Sequence, residues 1–164
     1  MLVVFCLPGR SFSGKFLLAW SNLLIYCLSN GINTVISQRY NSNVYYVRPQ
    51  CLGAGVLRGK HQAPFDRKIN YDYIMWIDSD MVFTPKHFQQ LLRHGDKDIV
   101  SGMYLMDGGE EYAVVKDWNI DYFKQHATFQ FLKKDAPEIS EGQLFKASYA
   151  GMGFMLVKRG VFET

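Results

Sequence analysis

Tyr71-Asp72-Tyr73-Ile74-Met75-Trp76-Ile77-Asp78-Ser79-Asp80 decides how this chain is read. Tyr73 to Ile77 run without a polar break, the pattern of a strand buried on both faces. Two carboxylates, two residues apart, follow at once. In extended backbone that spacing points both side chains the same way. Asp78 and Asp80 are hard oxygen donors suited to Mg²⁺ or Mn²⁺. Two carboxylates are too few to enclose a cation. Water and a substrate diphosphate would fill the remaining positions, and the metal would neutralise the diphosphate as it leaves. The competing reading is a turn in which Asp-Ser-Asp bonds its own backbone. It is weakened because the next helix already has its start in Thr84 as N-cap and Pro85 in the first turn.

Outward from this stretch, strands alternate with helices. Leu2 to Leu7 reads as a buried strand closed by Pro8-Gly9. A helix is expected over residues 14–29, with Ser11 or Ser13 as cap and Asn30-Gly31 as its end. Phe16, Trp20, Leu23, Leu24, Cys27 and Leu28 share one face of it. Leu17, Leu18 and Ile25 widen that face, which predicts a mostly buried helix. Thr34 to Ile36 and Val44 to Val47 read as short strands. Residues 53–69 are rich in Gly and basic groups and give no clear element. The helix opened by Pro85 is expected to reach His94-Gly95. Asp98 to Tyr104 follows as a strand. Tyr112 to Val115 and Thr128 to Leu132 look extended, Lys133 to Gly142 reads as a polar loop, and Phe154 to Val157 as a last strand.

The 164 residues suit one domain, 1–164, with 48% apolar and 20% charged residues. This predicts an α/β fold of three layers: a mostly parallel central sheet with helices on both faces. In such sheets ligands bind at the carboxyl ends of strands. A net charge of +3 does not point to a nucleic-acid partner. No apolar run reaches the roughly 18–20 residues of a membrane span. Cys6, Cys27 and Cys51 are odd in number and lack Cys-x-x-Cys spacing, so the expected setting is a reducing one, cytoplasmic and not secreted.

A second motif competes. Gly9-Arg10-Ser11-Phe12-Ser13-Gly14-Lys15 has the G-x-x-x-x-G-K spacing of a P-loop and follows a strand, which suggests a nucleotide triphosphatase. The next residue is Phe16, where a P-loop needs Ser or Thr to ligate Mg²⁺. The alternatives are a plain helix entry, or Pro8, Gly9 and Arg10 lining a nucleotide base.

With these residues in view, the chain resembles the GT-A-fold, Rossmann-like, nucleotide-sugar-dependent glycosyltransferases. The segment ending in Asp78-Ser79-Asp80 is similar to their Asp-x-Asp motif. The helix Pro85 to Leu92, the strand Asp98 to Tyr104 and the stretch Tyr149 to Glu163 continue the likeness. The resemblance implies a nucleotide-diphosphate sugar donor, UDP-sugar before GDP-sugar, a Mn²⁺ or Mg²⁺ ion, and an acceptor glycan or glycoprotein. Asp80 would coordinate the metal, and Asp78 the ribose or the metal through water. Pro8, Gly9 and Arg10 would lie near the base, and Gly151-Met152-Gly153 near the donor sugar or acceptor. A bulge before a strand is the other reading of those glycines.

Such enzymes place an acidic general base after the segment at which this chain stops, so the chain is expected to be truncated at its C-terminus. An inverting transfer needs a carboxylate to take the acceptor's proton. Asp107, Glu110, Glu111 and Asp121 are the candidates within the chain. Among the cations, Arg48, Arg58, Lys60 and Arg67 precede the central strand. Arg48 and Lys60 are the preferred pair for a diphosphate. His61, His87, His94 and His126 show no metal spacing and read as solvated or capping. Tyr45, Tyr46, Trp76 and Trp118 are possible sugar-stacking faces, with core packing as the default. A non-catalytic nucleotide-sugar-binding module is the remaining alternative.

Overall fold

Leu2–Pro8 forms β1, seven residues of which six are buried. Ser13 then caps a helix, its Oγ accepting the Phe16 N–H at 3.0 Å. The chain continues through α1 (Gly14–Ser29), β2 (Asn33–Arg39), α2 (Val44–Cys51), β3 (Tyr73–Ile77), α3 (Pro85–Leu92), β4 (Ile99–Ser101), β5 (Glu111–Tyr112), β6 (Val114–Val115), α4 (Ile120–His126), β7 (Leu132–Lys133), β8 (Tyr149–Ala150) and β9 (Phe154–Lys158). The computed structural model describes every residue except 138, 140–142 and 164. Two compact units result, Met1–Val100 with Gly153–Thr164, and Ser101–Met152.

The first unit is α/β, built on a mixed five-stranded sheet of order β2-β1-β3-β9-β4. β1 pairs in parallel with both β2 and β3. β9 runs antiparallel to β3, from Ile77↔Phe154 to Tyr73↔Lys158. The expected mostly parallel sheet therefore holds for β2, β1 and β3 and breaks at β9. The reason is local: the Asp78 N–H donates to the Gly153 carbonyl at 2.9 Å. β9 thus begins where β3 ends and can only run back along it.

One sheet face presents Val3, Phe5, Leu7, Met75, Ile77, Phe154 and Leu156 to Phe16, Ala19, Leu23 and Cys27 of α1 and Phe88 and Leu91 of α3. Phe5 meets Trp20 edge-on at 5.2 Å and Phe88 at 5.5 Å. By strand alternation Val4, Cys6, Ile74, Trp76, Met155 and Val157 take the other face, and all are buried. α2 covers part of that face, where the Ser37 Oγ donates to the Cys51 carbonyl at 2.6 Å. Helices thus lie on both faces of the sheet. No helix among the described residues is long and apolar enough to cross a membrane.

Four local expectations are corrected. Val44 to Val47 is not a strand but the first half of α2. Asn43 Oδ1 accepts the Tyr45 N–H at 2.9 Å, and that cap turns an apolar quartet into a helix start. α1 is not mostly buried: Leu17, Leu18, Ile25 and Leu28 are exposed, because only its stripe through Phe16, Leu23 and Cys27 meets the sheet. α3 ends at Leu92, and His94 and Gly95 lie in the turn after it. The strands expected over 98–104 and 128–132 shrink to β4 and β7. The polar loop expected from Lys133 to Gly142 falls partly outside the described residues.

The second unit holds two short antiparallel pairs, β5 with β7 and β6 with β8. Its helix α4 was not anticipated. Asn119 Oδ1 caps it through the Tyr122 N–H at 2.9 Å, and Ala127 ends it in the left-handed region with φ 53°. None of its residues is buried, so no apolar stripe marks it in the sequence.

Candidate functional site

The carboxyl ends of β1 and β3 lie side by side because the strands are parallel neighbours. Pro8-Gly9-Arg10 leaves β1, and Asp78-Ser79-Asp80 leaves β3. The two turns touch. A Cβ built on Gly9 would lie 2.5 Å from Ser79 Cβ and 2.8 Å from its Oγ. Only glycine allows this approach. Gly9 is further fixed by its N–H, which donates to the Arg39 carbonyl at 3.0 Å, and by its carbonyl, which accepts from Gln38 Nε2 at 2.6 Å. Arg10 lies over the Tyr40 ring at 5.7 Å.

The acidic pair does not sit in extended backbone. Ser79 and Asp80 form a turn in which the Met81 N–H donates to the Asp78 carbonyl at 3.1 Å. The strand-alternation argument therefore does not set the direction of these carboxylates. Their positions come from the turn and its neighbours. Asp78 is partly buried and Asp80 exposed.

Arg48, near the end of α2, places Nη2 2.9 Å from Asp78 Oδ2. Its guanidinium also lies over the Trp76 ring at 5.7 Å. Trp76 is buried on β3, and its indole N–H has no hydrogen-bond partner among the described residues. Burial pushes the Asp78 carboxyl above its ordinary pKa. Arg48 opposes that shift by charge and hydrogen bond, and the neighbouring Asp80 adds to it. The result is one compensated carboxylate beside an exposed one, with a cation on a rigid helix at their side.

The structure brings together Gly9, Arg48, Asp78 and Gly153 from the sequence candidates, with Pro8 and Arg10 on the same β1 turn and Asp80 on the β3 turn. Lys60 lies on an exposed loop after the short 3₁₀ turn Val56–Arg58. Arg58 and Lys68 pair with Asp66 rather than with the acidic turn. Gly151 and Met152 belong to the second unit. There the space a Gly151 side chain would need is filled by the Tyr104 hydroxyl, and Ser101 Oγ donates to the Gly151 carbonyl at 3.0 Å. Asp107, Glu110, Glu111 and Asp121 also lie in the second unit. Glu110 is paired with Lys134 at 2.7 Å, and Asp121 approaches Lys124 at 3.9 Å. His87 caps α3, its Nδ1 accepting the Thr84 N–H at 3.3 Å.

The P-loop spacing does not form a phosphate cradle. The Gly9 N–H is spent on Arg39, Ser13 caps α1, and Lys15 is exposed. Phe16 is buried between Phe12 at 4.8 Å and Phe83 at 5.6 Å. The position at which a hydroxyl would ligate Mg²⁺ is part of the core.

Sequence reading missed the contact of Gly9 with Ser79, the place of Tyr40 under Arg10, and the tie of Gly153 to Asp78. Glycine at a strand end was the available signal for the first and the last. Nothing in the sequence announced Tyr40.

Compared with protein-family models and with curated proteins, the chain gives no match.

Among the described residues no group of three or more His, Cys, Asp or Glu gathers to hold a metal. The carboxylates at the turn are Asp80, exposed, and Asp78, whose Oδ2 meets Arg48 at 2.9 Å. Such a pair fits a hard cation that takes its other ligands from a bound diphosphate and water.

Proposed function

We propose that this chain is a glycosyltransferase, or the donor-binding domain of one, that takes a sugar from a nucleotide-diphosphate donor in the presence of Mn²⁺ or Mg²⁺. The observation that carries the reading is the meeting of Arg48 with Asp78 at 2.9 Å, in the turn that bears Asp80 at the carboxyl end of a central parallel strand. Open α/β sheets bind ligands at that edge. A GT-A-like, three-layer arrangement is the fold this reading requires. Helices on both faces and the order of elements around the Asp-x-Asp turn support it.

In this reading Asp80 and Asp78 hold the cation against the diphosphate. The metal, when bound, supplies charge for the departing nucleotide diphosphate. Arg48 holds Asp78 in place before donor binds and adds positive charge beside the phosphates. Arg10 and Tyr40 form a cation-over-ring surface beside the β1 turn, where the base would lie. The acceptor hydroxyl attacks the anomeric carbon as its bond to the nucleotide diphosphate breaks, and its proton goes to a carboxylate, for which Asp107, Glu110, Glu111 and Asp121 are the candidates read from the sequence. UDP-sugars are the first donors to try and GDP-sugars the second, with a glycan or glycoprotein as acceptor. The buried free thiols Cys6, Cys27 and Cys51 suit a cytoplasmic setting.

Calorimetric titration with UDP, UDP-sugars, GDP-sugars and ATP, each with and without Mn²⁺, tests this. The expected result is heat from UDP or GDP compounds only when metal is present. ATP binding that is independent of Asp80 but lost in Lys15→Ala would replace the proposal with the triphosphatase reading.

A further inference from the structure

The five-stranded sheet has two edges of different kinds. β4 is three residues long, and short edges protect themselves from pairing. β2 has seven residues, Asn33–Arg39, and among the described residues pairs only with β1. It contains no proline and no Lys, Asp or Glu, and its one charge is Arg39 at the end. The usual devices that blunt an edge are missing.

The phase of its hydrogen bonds is fixed at both ends. The Asn33 N–H donates to the Met1 carbonyl at 3.0 Å, and the Arg39 carbonyl accepts the Gly9 N–H at 3.0 Å. Parallel pairing then turns the peptide groups of Asn33, Val35, Ser37 and Arg39 toward β1. Thr34, Ile36 and Gln38 turn both N–H and carbonyl away from the sheet, and the Gln38 carbonyl there accepts Arg39 Nη1 at 2.7 Å, so its second lone pair is the one left for a partner strand. Ile36 is half exposed at 50%.

This outward row is complementary to itself. An antiparallel copy centred on Ile36 places Ile36 opposite Ile36 and Thr34 opposite Gln38. All three pairs are then of the type that exchanges both N–H···O bonds. A centre at Val35 or Ser37 forms only two such pairs within the strand, Thr34 with Ile36 or Ile36 with Gln38, so the Ile36 centre makes the most bonds. The Ile36-centred register also puts apolar on apolar. It sets each Arg39 opposite an Asn33, so the two guanidiniums lie at opposite ends of the ribbon rather than against each other.

We infer that β2 is an isologous docking edge for a second copy of this chain, joining two five-stranded sheets through an antiparallel β2–β2 ribbon centred on Ile36. The assignment does not depend on the chemistry of the acidic turn.

Light scattering on the eluting full chain over a concentration series, with amide hydrogen exchange by NMR, tests it. The mass should rise from 18.9 kDa toward twice that value. Slowed exchange should appear with concentration at the Thr34, Ile36 and Gln38 amides, while the Val35 and Ser37 amides stay protected throughout. Ile36→Pro removes only an outward N–H, which an edge strand tolerates, and should abolish the dimer. Ile36→Lys sets two like charges face to face and should do the same, which covers the case in which the proline variant fails to fold. A chain that stays at 18.9 kDa with fast-exchanging Thr34, Ile36 and Gln38 amides overturns the inference. So does a dimer that survives Ile36→Lys, which would point instead to another surface such as the exposed leucines of α1.

Discussion

Arg48 Nη2 lies 2.9 Å from Asp78 Oδ2, and the two residues reach that contact from different elements, one near the end of α2 and one in the turn after β3. Helix and turn are thereby locked to each other at the edge where the parallel strands end. The pair makes Asp78 a compensated charge, but burial still outweighs the compensation and leaves its pKa raised.

That balance fixes the sign of a pH effect. The folded chain binds a proton at Asp78 more readily than the unfolded chain does. The stabilisation this gives is fully present below the ordinary carboxylate pKa and is lost as pH rises through the raised one. At neutral pH the ionised group is a cost. Asp78→Asn keeps an acceptor for Arg48 and removes the ionisation. Its melting temperature should match or exceed that of the parent at neutral pH, with the advantage shrinking on acidification. Thermal melts between about pH 3 and 7 check this. An Asn variant less stable than the parent at neutral pH would contradict it.

Gly9→Ala should destabilise the fold by roughly 1–3 kcal/mol, because the new methyl overlaps Ser79. Ser79→Gly removes the atoms in the way. The double variant should therefore recover most of the loss in urea unfolding. Additive losses would mean that the two turns do not meet as described.

Asn43→Ala should cost about 1 kcal/mol through loss of the α2 cap. It should also weaken donor binding, since α2 carries Arg48. Asn43→Asp keeps a capping oxygen and should restore both. A stability loss without any change in nucleotide affinity would separate α2 from the site.

Phe16→Thr supplies the hydroxyl that the P-loop spacing lacks. The core around Phe12 and Phe83 should lose about 3–5 kcal/mol, and no ATP binding should appear. Metal-dependent ATP binding in this variant, read by calorimetry, would revive the triphosphatase reading.

The sheet was legible where apolar runs are unbroken, at Leu2 to Leu7, Tyr73 to Ile77 and Phe154 to Val157. Strand direction was not, because burial on both faces gives the same run whichever way a strand points. Alternation with helices anticipated the parallel pairing of β2, β1 and β3 but not the mixed sheet, and β9 escaped that logic since the whole second unit precedes it. α2 was missed because Val-Tyr-Tyr-Val suits a strand as well as a helix, and one asparagine decides between them. The acidic turn was legible as a candidate site by composition and position. Its backbone shape was not, since a two-residue spacing indicates direction only within a strand. Arg48 was one of four basic residues before the central strand. Its selection follows from the three-dimensional meeting of α2 with β3, which no local pattern records.

The central proposal is that the acidic turn holds a divalent cation together with a nucleotide diphosphate. The most direct measurement is the EPR amplitude of free Mn²⁺ titrated with the chain, with and without UDP, and repeated with Asp80→Ala. UDP and protein together should deplete the free-ion signal beyond what either does alone, and Asp80→Ala should abolish the excess while the far-UV spectrum is unchanged. Equal depletion by the parent and by Asp80→Ala would contradict it.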